Sequence, residues 1–257
     1  MIEDFDRRFE EAVQGFWTGR RKQQEKQKSS GHVDAGSRGS VTGGGHIAPL
    51  EDLVKEVLVS CGVPGNAIFQ NQGLELPGYY RAEKCWDLLV VANEKLHVAI
   101  EFKSQVGPSF GNNFNNRTEE AVGNAVDLQR ALQERTLGNT VAPPFLGYVF
   151  LLEDCGAVHK RVRLSEPHFC VDHAFLAPPP SVHDRVERKN RSGVGYAKRY
   201  ERLLERLLLE RKYDAACLTL TTRGDPTTVT FPNEALDARH FISRLVGFAS
   251  GAVRAGL

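Results

Sequence analysis

The sequence has few cysteines, and no two of them form a C-x-x-C pair. Their number is odd and they are scattered along the chain, which argues against both a disulfide framework and a structural zinc site. Such a cysteine content is typical of a reducing compartment, so we expect a cytoplasmic location. The five cysteines are Cys61, Cys85, Cys155, Cys170 and Cys217.

The sequence also lacks long apolar runs, a large net charge and internal repeats. No run approaches the roughly 20 apolar residues that cross a bilayer, and the N-terminal segment has no signal-type apolar core, so we expect no membrane partner. The chain has 33 Lys and Arg against 32 Asp and Glu, so its global charge neither favours nor excludes nucleic acid. Any DNA affinity has to come from local clusters of basic residues. The histidines show no metal-ligand spacing.

Apolar sequence is sufficient for one substantial core, with 41% hydrophobic residues over 257 positions. We therefore expect a single domain over residues 1–257. Within it, residues 1–46 form a helix and a Gly-rich loop, residues 47–155 the core, and residues 156–257 helices and a strand that complete the fold. Few helix breakers interrupt residues 2–28, and basic residues dominate residues 20–28, so we predict a solvated basic helix over residues 2–28. Six glycines in residues 29–46 predict a long flexible loop.

Helix and strand patterns are mixed along the rest of the chain. Because no βαβ repeat of about 30 residues is present, the pattern predicts an α/β fold with a mixed central sheet flanked by helices. Asn116 or Thr118 is the predicted cap of the second helix in this part. The predicted helices span residues 47–61, 116–132, 196–208 and 236–246, and the predicted strands span residues 85–92, 96–102, 145–152 and 217–222.

A predicted hairpin brings three ionisable side chains together. Because side chains alternate along a strand, Glu101 and Lys103 point to the face opposite the apolar one. A three-residue loop at residues 93–95 pairs Asp87 with Glu101 and keeps the apolar residues on one face, whereas a two-residue loop divides them between the faces. We therefore predict the three-residue loop, with an apolar face formed by Leu88, Val90, Leu96, Val98, Ile100 and Phe102.

Two carboxylates in this register favour a metal site. Their Cβ atoms are roughly 5 Å apart, and their repulsion is about 3 kcal/mol unless a cation compensates it. Mg²⁺ takes one or two carboxylates and keeps several waters, so we expect Asp87, Glu101 and the backbone carbonyl of Phe102 as ligands. Lys103 is expected to hold the attacking water and to stabilise negative charge on a phosphate. Alone, an E-x-K motif is a weak indication, because short motifs occur often by chance.

The residues from Asp87 through Glu101 to Lys103 have the D-x(n)-E-x-K layout of the PD-(D/E)XK nuclease superfamily. Longer segments resemble the XhoI family of type II restriction endonucleases, most densely at residues 75–79, 86–93, 103–120 and 145–154. Trp86 departs from the pattern, since the superfamily has a proline there that supplies no catalytic group. The resemblance implies a PD-(D/E)XK restriction-endonuclease-like core, with an N-terminal basic helix and C-terminal helical additions.

This resemblance also implies an activity and partners. It implies a Mg²⁺-dependent type II site-specific deoxyribonuclease that acts on double-stranded DNA as a homodimer. It further implies recognition of the palindrome CTCGAG, cleavage after the first C with four-base 5′ overhangs, and a bacterial cytoplasm in which a cognate DNA methyltransferase protects the host's own sites. Two alternatives stay open: a repair or junction nuclease of the same superfamily, and a non-catalytic DNA-binding protein with a decayed site.

Many members of the superfamily place an additional helix carboxylate near the metal. Glu56 on the predicted core helix is a candidate for this accessory role, and Glu75 and Glu119 are weaker ones. A solvated glutamate is the competing interpretation for Glu56, because glutamate is normally exposed.

Asparagines, followed by an arginine, are concentrated directly after the strand that carries Glu101 and Lys103. Asn pairs well with adenine and Arg with guanine in the major groove, so this segment is a candidate for reading DNA bases. The competing interpretation is a turn with a helix cap, which uses Asn and Gly for backbone reasons. Basic residues outnumber acidic residues over residues 181–212, which favours contact with DNA phosphates. A solvated helix face is the competing interpretation, because most clusters of charged residues have that role. The Gly-rich loop is expected to become ordered on DNA. The predicted DNA-binding residues are Asn112, Asn113, Asn115, Asn116, Arg117, Arg38, Lys189, Arg191 and Lys198.

Overall fold

The structure of the protein, a computed structural model, describes residues 4–29, 44–178 and 191–257, without the side chains of residues 26–29 and 44. No helix within these ranges is both long and apolar enough to span a membrane. The α-helices of the described ranges are α1 (Phe5–Ser29), α2 (Ala48–Ser60), α3 (Phe110–Gln133), α4 (Gly156–His159), α5 (Tyr196–Leu209) and α6 (Ala238–Arg254). The strands are β1 (Ile68–Gln70), β2 (Glu75–Pro77), β3 (Glu83–Cys85), β4 (Leu88–Ala92), β5 (Lys95–Gln105), β6 (Phe145–Glu153), β7 (Val162–Arg163), β8 (Ser192–Gly193), β9 (Ala215–Thr221) and β10 (Val229–Thr230).

Within the described ranges, six strands form a central sheet in the order β1-β4-β5-β6-β9-β10. The inner pairs β5–β6 and β6–β9 are parallel, whereas β1–β4, β4–β5 and β9–β10 are antiparallel. Strand pairs β2–β3 and β7–β8 lie outside this sheet. The predicted α/β class, with a mixed central sheet flanked by helices, is confirmed.

Helices cover both faces of the sheet. Helices α1, α2 and α6 pack on one face, through side chains such as Phe16, Leu58 and Phe241. Helices α3 and α5 pack on the other face, through side chains such as Ala125 and Leu204. Strands β6 and β9 are buried along their whole length because both of their sides are covered.

Helix α1 is a core element in its first half rather than a solvated basic helix. Phe5, Phe9, Val13 and Phe16 recur every three or four residues and are buried against the sheet. Trp17 is buried with them, and its indole N–H donates to Thr221 Oγ1 on β9 over 3.0 Å. The predicted helix is thus confirmed, and its basic character belongs to the second half alone.

The β4–β5 hairpin closes through a two-residue turn, so the predicted three-residue loop is wrong. Asn93 and Glu94 have φ angles of 52° and 58°, in the left-handed region. Ala92 therefore pairs with Lys95 across the turn. Turns with two left-handed residues match the twist of the flanking strands, which is why they are common in hairpins.

A β-bulge next to this turn restores the predicted register. The pairing shifts between Val90 and Val91 and leaves His97 as the additional residue of β5. The bulge also moves Leu96 to the opposite face of the sheet from Val98, which corrects the predicted apolar face. Farther along, the predicted pairs Leu88 with Ile100 and Val90 with Val98 are confirmed.

Helix α3 begins at Phe110, with Ser109 as its N-cap, and not at Asn116 or Thr118. Asn and Gly are poor helix formers, but tertiary packing overrides propensity here, because Phe110 and Phe114 contact aromatic rings of α5. The predicted last strand corresponds to β9 but is followed by β10, and the last helix, α6, continues to Arg254. Most of the Gly-rich loop lies outside the described residues.

Candidate active site

Asp87, Glu101 and Lys103 meet where β4 begins and β5 approaches its end. The Lys103 ammonium lies 3.3 Å from Asp87 Oδ2 and also forms an ion pair with the Glu101 carboxylate. The Glu101 side chain is only 3% exposed, whereas Asp87 and Lys103 reach solvent. The three residues that the sequence brings together by register therefore form one cluster of contacts.

The backbone of Phe102 holds Asp87 in place. Because the β4 ladder begins only at Leu88, the Phe102 N–H lies beyond it and donates to Asp87 Oδ2 over 2.7 Å. The Phe102 carbonyl accepts a hydrogen bond from Lys103 Nζ over 3.3 Å. One backbone carbonyl thus faces the same cluster as the two carboxylates.

A second lysine, Lys84 on β3, contacts the buried carboxylate and was missed by sequence reasoning. Its ammonium lies 2.6 Å from Glu101 Oε2 and donates to the Cys85 carbonyl over 2.9 Å. It also lies 4.3 Å from the centre of the Trp86 ring, in a cation–π contact. Lys84 is only 11% exposed. Nothing in the local sequence distinguishes Lys84 from a solvated lysine, because the contact depends on how β2–β3 packs beside β5.

Sequence reasoning also missed Glu51, a buried carboxylate on α2. Glu51 is 8% exposed and lines the same cleft as Asp87 and Lys103. The sequence does contain a signal, since Glu51 lies four residues after Ile47 and three before Val54. At this position the helical stripe calls for an apolar side chain.

The predicted accessory carboxylates lie elsewhere. Glu56 is 53% exposed and forms an ion pair with Arg8 of α1. Glu75 is exposed on β2 opposite Cys85 and accepts the N–H of Leu74 over 3.1 Å, and Glu119 is exposed on α3. The structure thus places Glu51, rather than Glu56, in the cleft that Asp87 and Lys103 line.

Crowding of acids perturbs the ionisation of the cluster. Burial raises the pKa of Glu51 to about 7, and the neighbouring Asp87 adds to the rise. Burial, and then the charge of Glu101, also raise the pKa of Asp87. Burial by itself lowers the pKa of Lys103, but the charges of Glu101 and Asp87 outweigh it and raise the pKa, so the ammonium stays charged. A further cation beside Asp87 and Glu51 would relieve the burial and repulsion that raise their pKa values.

The donor set fits a hard divalent cation. Asp87, Glu101 and the Phe102 carbonyl would hold it, and all three supply oxygen, the donor that such cations prefer. Within the described ranges, no group of three or more His, Cys, Asp or Glu side chains is arranged as a metal site. Water or phosphate would complete the shell of a cation held by two carboxylates and one carbonyl.

Asp87 and Lys103 line a cleft of about 290 Å³. Of the predicted DNA-binding residues on α3, Asn113 and Arg117 line this cleft, one helical turn apart. Asn112, Asn115 and Asn116 are exposed on the same helix. The amide-rich segment is therefore the first part of a helix rather than a turn.

The remaining predicted DNA contacts are partly neutralised or lie outside the described residues. Arg38 and Lys189 lie outside them. Arg191 is 3.9 Å from a carboxylate oxygen of Glu166, and Lys198 is 2.7 Å from Glu201. Much of the positive charge near α5 therefore has a local acidic partner.

Comparison with known proteins assigns the chain to a family. The sequence model of the restriction endonuclease XhoI matches residues 26–233, a range that includes Asp87, Glu101 and Lys103. The chain belongs to the XhoI family. Comparison of this XhoI family member with solved structures gives no match.

Curated relatives of this XhoI family member agree with the assignment. The type II restriction enzyme BstVI of Geobacillus stearothermophilus is 42% identical over 201 residues, which cover 76% of this chain and 82% of the relative. The type II restriction enzyme XhoI of Xanthomonas vasicola is 38% identical over 213 residues, 81% of this chain and 77% of the relative. The type II restriction enzyme AbrI of Azospirillum brasilense is 42% identical over 179 residues, 69% of this chain and 80% of the relative.

Membership of the XhoI family defines the class of reaction. The relatives are type II restriction enzymes, so the protein is a site-specific deoxyribonuclease of a restriction system, and its substrate is DNA. Enzymes of this type generally use divalent metal ions, in agreement with the oxygen donors of Asp87, Glu101 and Phe102.

Proposed function

We propose that the protein is a Mg²⁺-dependent endonuclease that recognises CTCGAG in double-stranded DNA and cuts each strand after the first C, leaving four-base 5′ overhangs. The observation that carries the proposal is the contact of Lys103 with both Asp87 and Glu101 in an open cleft. The recognition sequence is the one that the resemblance to the XhoI family implies. The intact cluster argues against a DNA-binding protein with a decayed site.

A palindromic site favours a homodimer. Each half of CTCGAG presents the same bases, so two copies of the chain related by a twofold axis can each cut one strand. In a bacterial cytoplasm, such an enzyme needs a DNA methyltransferase of the same specificity that protects the host's own sites. We propose the methyltransferase as a functional partner and not as a bound subunit.

The side chains divide the chemistry between them. Asp87, Glu101 and the Phe102 carbonyl would hold Mg²⁺, which supplies Lewis acidity and lowers the pKa of a water. Lys103 can donate to the attacking water and to a non-bridging phosphate oxygen, because its ammonium carries three donors. Lys84 holds Oε2 of Glu101, which leaves Oε1 directed toward Lys103.

Cleavage of a plasmid with a single CTCGAG site tests the proposed function. We expect a single linear product with Mg²⁺ and intact plasmid with EDTA, and the same plasmid with one base pair of the site changed should stay uncut. Sequencing the product ends should locate the cut after the first C. Cutting that depends on DNA junctions, or cutting without sequence preference, would support a repair nuclease instead, and binding without cutting would support a decayed site.

Replacing Glu51 by glutamine is expected to slow cleavage about 10- to 100-fold and to raise the Mg²⁺ concentration needed for half-maximal rate. The reason is that Glu51 lines the cleft beside Asp87 and would help to orient the metal and its waters. Single-turnover cleavage measured over a range of Mg²⁺ concentrations checks both effects. Glu56→Gln, on the same helix but paired with Arg8, is the matched control and should cleave at the normal rate. Equal losses in the two variants would contradict the role of Glu51.

A further inference from the structure

Two arginines from opposite faces of the sheet line the catalytic cleft. Arg20 comes from α1, on one face, and Arg117 comes from α3, on the other. Asp87 and Lys103 line the same cleft. The cleft therefore has a basic side chain from each of two walls in addition to the catalytic lysine.

Arg20 supplies a guanidinium to its wall of the cleft. Its guanidinium lies 5.8 Å from the centre of the Phe16 ring and 3.5 Å from His46 Nε2. Within the described part of the chain, no carboxylate lies within ion-pair distance of Arg20. The nearby Glu153 is occupied by Arg223, at 3.0 Å, and by the N–H of Gly107, at 2.7 Å. Burial, and then the charge of Arg223, lower the pKa of Arg20, whereas the charge of Glu153 raises it.

Arg117 is held in a fixed position on the opposite wall. It is only 16% exposed, and one of its nitrogens lies 2.8 Å from a carboxylate oxygen of Glu120, one turn farther along α3. A guanidinium carries five N–H donors, so this single contact leaves others for a ligand in the cleft. Asn113 lies one turn before it on the same wall.

We propose that Arg20 and Arg117 bind the DNA phosphates on either side of the phosphate that is cut. This inference rests on the proposed function, because a strand whose phosphate reaches Lys103 has to leave the cleft along both walls. A planar guanidinium matches the geometry of phosphate oxygens and is always charged. The proposal makes Arg117 a contact of the DNA backbone and not a reader of guanine, so its contribution to affinity should not depend on base sequence.

Salt-dependent DNA binding tests both contacts without cleavage. Arg20→Met and Arg117→Met, each combined with Lys103→Ala, are titrated in Mg²⁺ against two duplexes, one with CTCGAG and one with the same bases scrambled. Near 0.1 M salt we expect each change to weaken binding about 10-fold on both duplexes. We also expect it to reduce the slope of log affinity against log salt by about one unit. Methionine keeps the apolar stem in place, and Arg→Lys should restore part of the slope.

Matched controls are available on both helices. Arg21→Met changes the next residue of α1, which is exposed and bonds to Thr18. Arg130→Met changes another arginine of α3, which pairs with Glu134 as Arg117 does with Glu120. Neither residue lines the cleft, so both control variants should keep the slope of the Lys103→Ala parent.

Duplexes with one uncharged phosphate show which phosphates the arginines contact. Near the cut, one phosphate at a time is replaced by methylphosphonate. When the phosphate that Arg20 binds is replaced, Arg20→Met should cause no further loss of DNA affinity. The inference is overturned if the arginine variants keep the slopes of the controls, or if their losses persist on every modified duplex. If Arg117→Met weakened binding only to the duplex with CTCGAG, Arg117 would be a reader of bases, and its proposed phosphate contact would be overturned. If the Lys103→Ala parent binds the two duplexes equally well, the proposed recognition of CTCGAG is wrong. The salt dependence of binding still tests the phosphate contacts in that case.

Discussion

Replacing Lys103 by alanine is expected to reduce the single-turnover rate of DNA cleavage by at least about 10³-fold while DNA binding persists. The ammonium contacts Asp87 and Glu101 and faces the cleft, so its loss removes the donor to the water and to the phosphate. The fold should persist, because Lys84 still compensates the buried Glu101 carboxylate at 2.6 Å. Rapid-mixing cleavage and duplex-binding measurements in Mg²⁺ check the two halves of this expectation.

Lys95→Ala is the matched control for this change. Lys95 begins the same strand but is exposed at the hairpin turn, away from the cluster. It should cleave at the normal rate. Full activity in Lys103→Ala would show that Asp87, Glu101 and Lys103 are not the catalytic site.

Replacing Asp87 by asparagine is expected to abolish metal-dependent cleavage, again by about 10³-fold or more, without unfolding the protein. The asparagine carbonyl can still accept the Phe102 N–H, which Asp87 accepts over 2.7 Å. The change therefore removes a negative charge but should leave the local structure nearly unchanged. A Mg²⁺ titration of cleavage should show no recovery at high metal concentration, and thermal unfolding should stay close to that of the parent.

Asp52→Asn provides the comparison for Asp87→Asn. Asp52 is an exposed carboxylate on α2 that accepts a hydrogen bond from Gln70 over 2.8 Å. Its replacement should leave both the cleavage rate and the Mg²⁺ requirement unchanged. Recovery of Asp87→Asn at high Mg²⁺ to the parent rate would mean that Asp87 assists metal binding but is not required for the reaction.

The register of the β4–β5 hairpin shows how far sequence reasoning reaches. The requirement that apolar side chains share a covered face correctly predicts the pairs Leu88 with Ile100 and Val90 with Val98. The loop is nevertheless wrong, because a two-residue turn and a bulge at His97 together shift the pairing as much as a three-residue loop does. The burial pattern fixes the total offset between the two strands. It does not show how much of that offset comes from the turn and how much from the bulge.

Contacts between distant segments were harder to predict. Lys84 reaches Glu101 only because the β2–β3 pair packs beside β5, and no local pattern encodes that arrangement. Helix α3 begins at Phe110 because aromatic contacts with α5 outweigh the poor helix propensity of its Asn and Gly residues. Glu51 is intermediate, since its place in the apolar stripe of α2 is visible in the sequence but its proximity to Asp87 is not.

The sequence by itself determined the elements that depend on periodicity and alternation. These are the mixed α/β class, the strand that carries Glu101 and Lys103, and the register that brings both residues to Asp87. These follow from local rules, because side-chain direction is set by residue spacing within a helix or strand. Only the tertiary structure decided which further groups surround the cluster: Glu51 from α2, Lys84 from β3, Arg20 from α1 and Arg117 from α3. These groups belong to four separate segments, and their convergence depends on how helices and strands pack together, which no single stretch of sequence specifies.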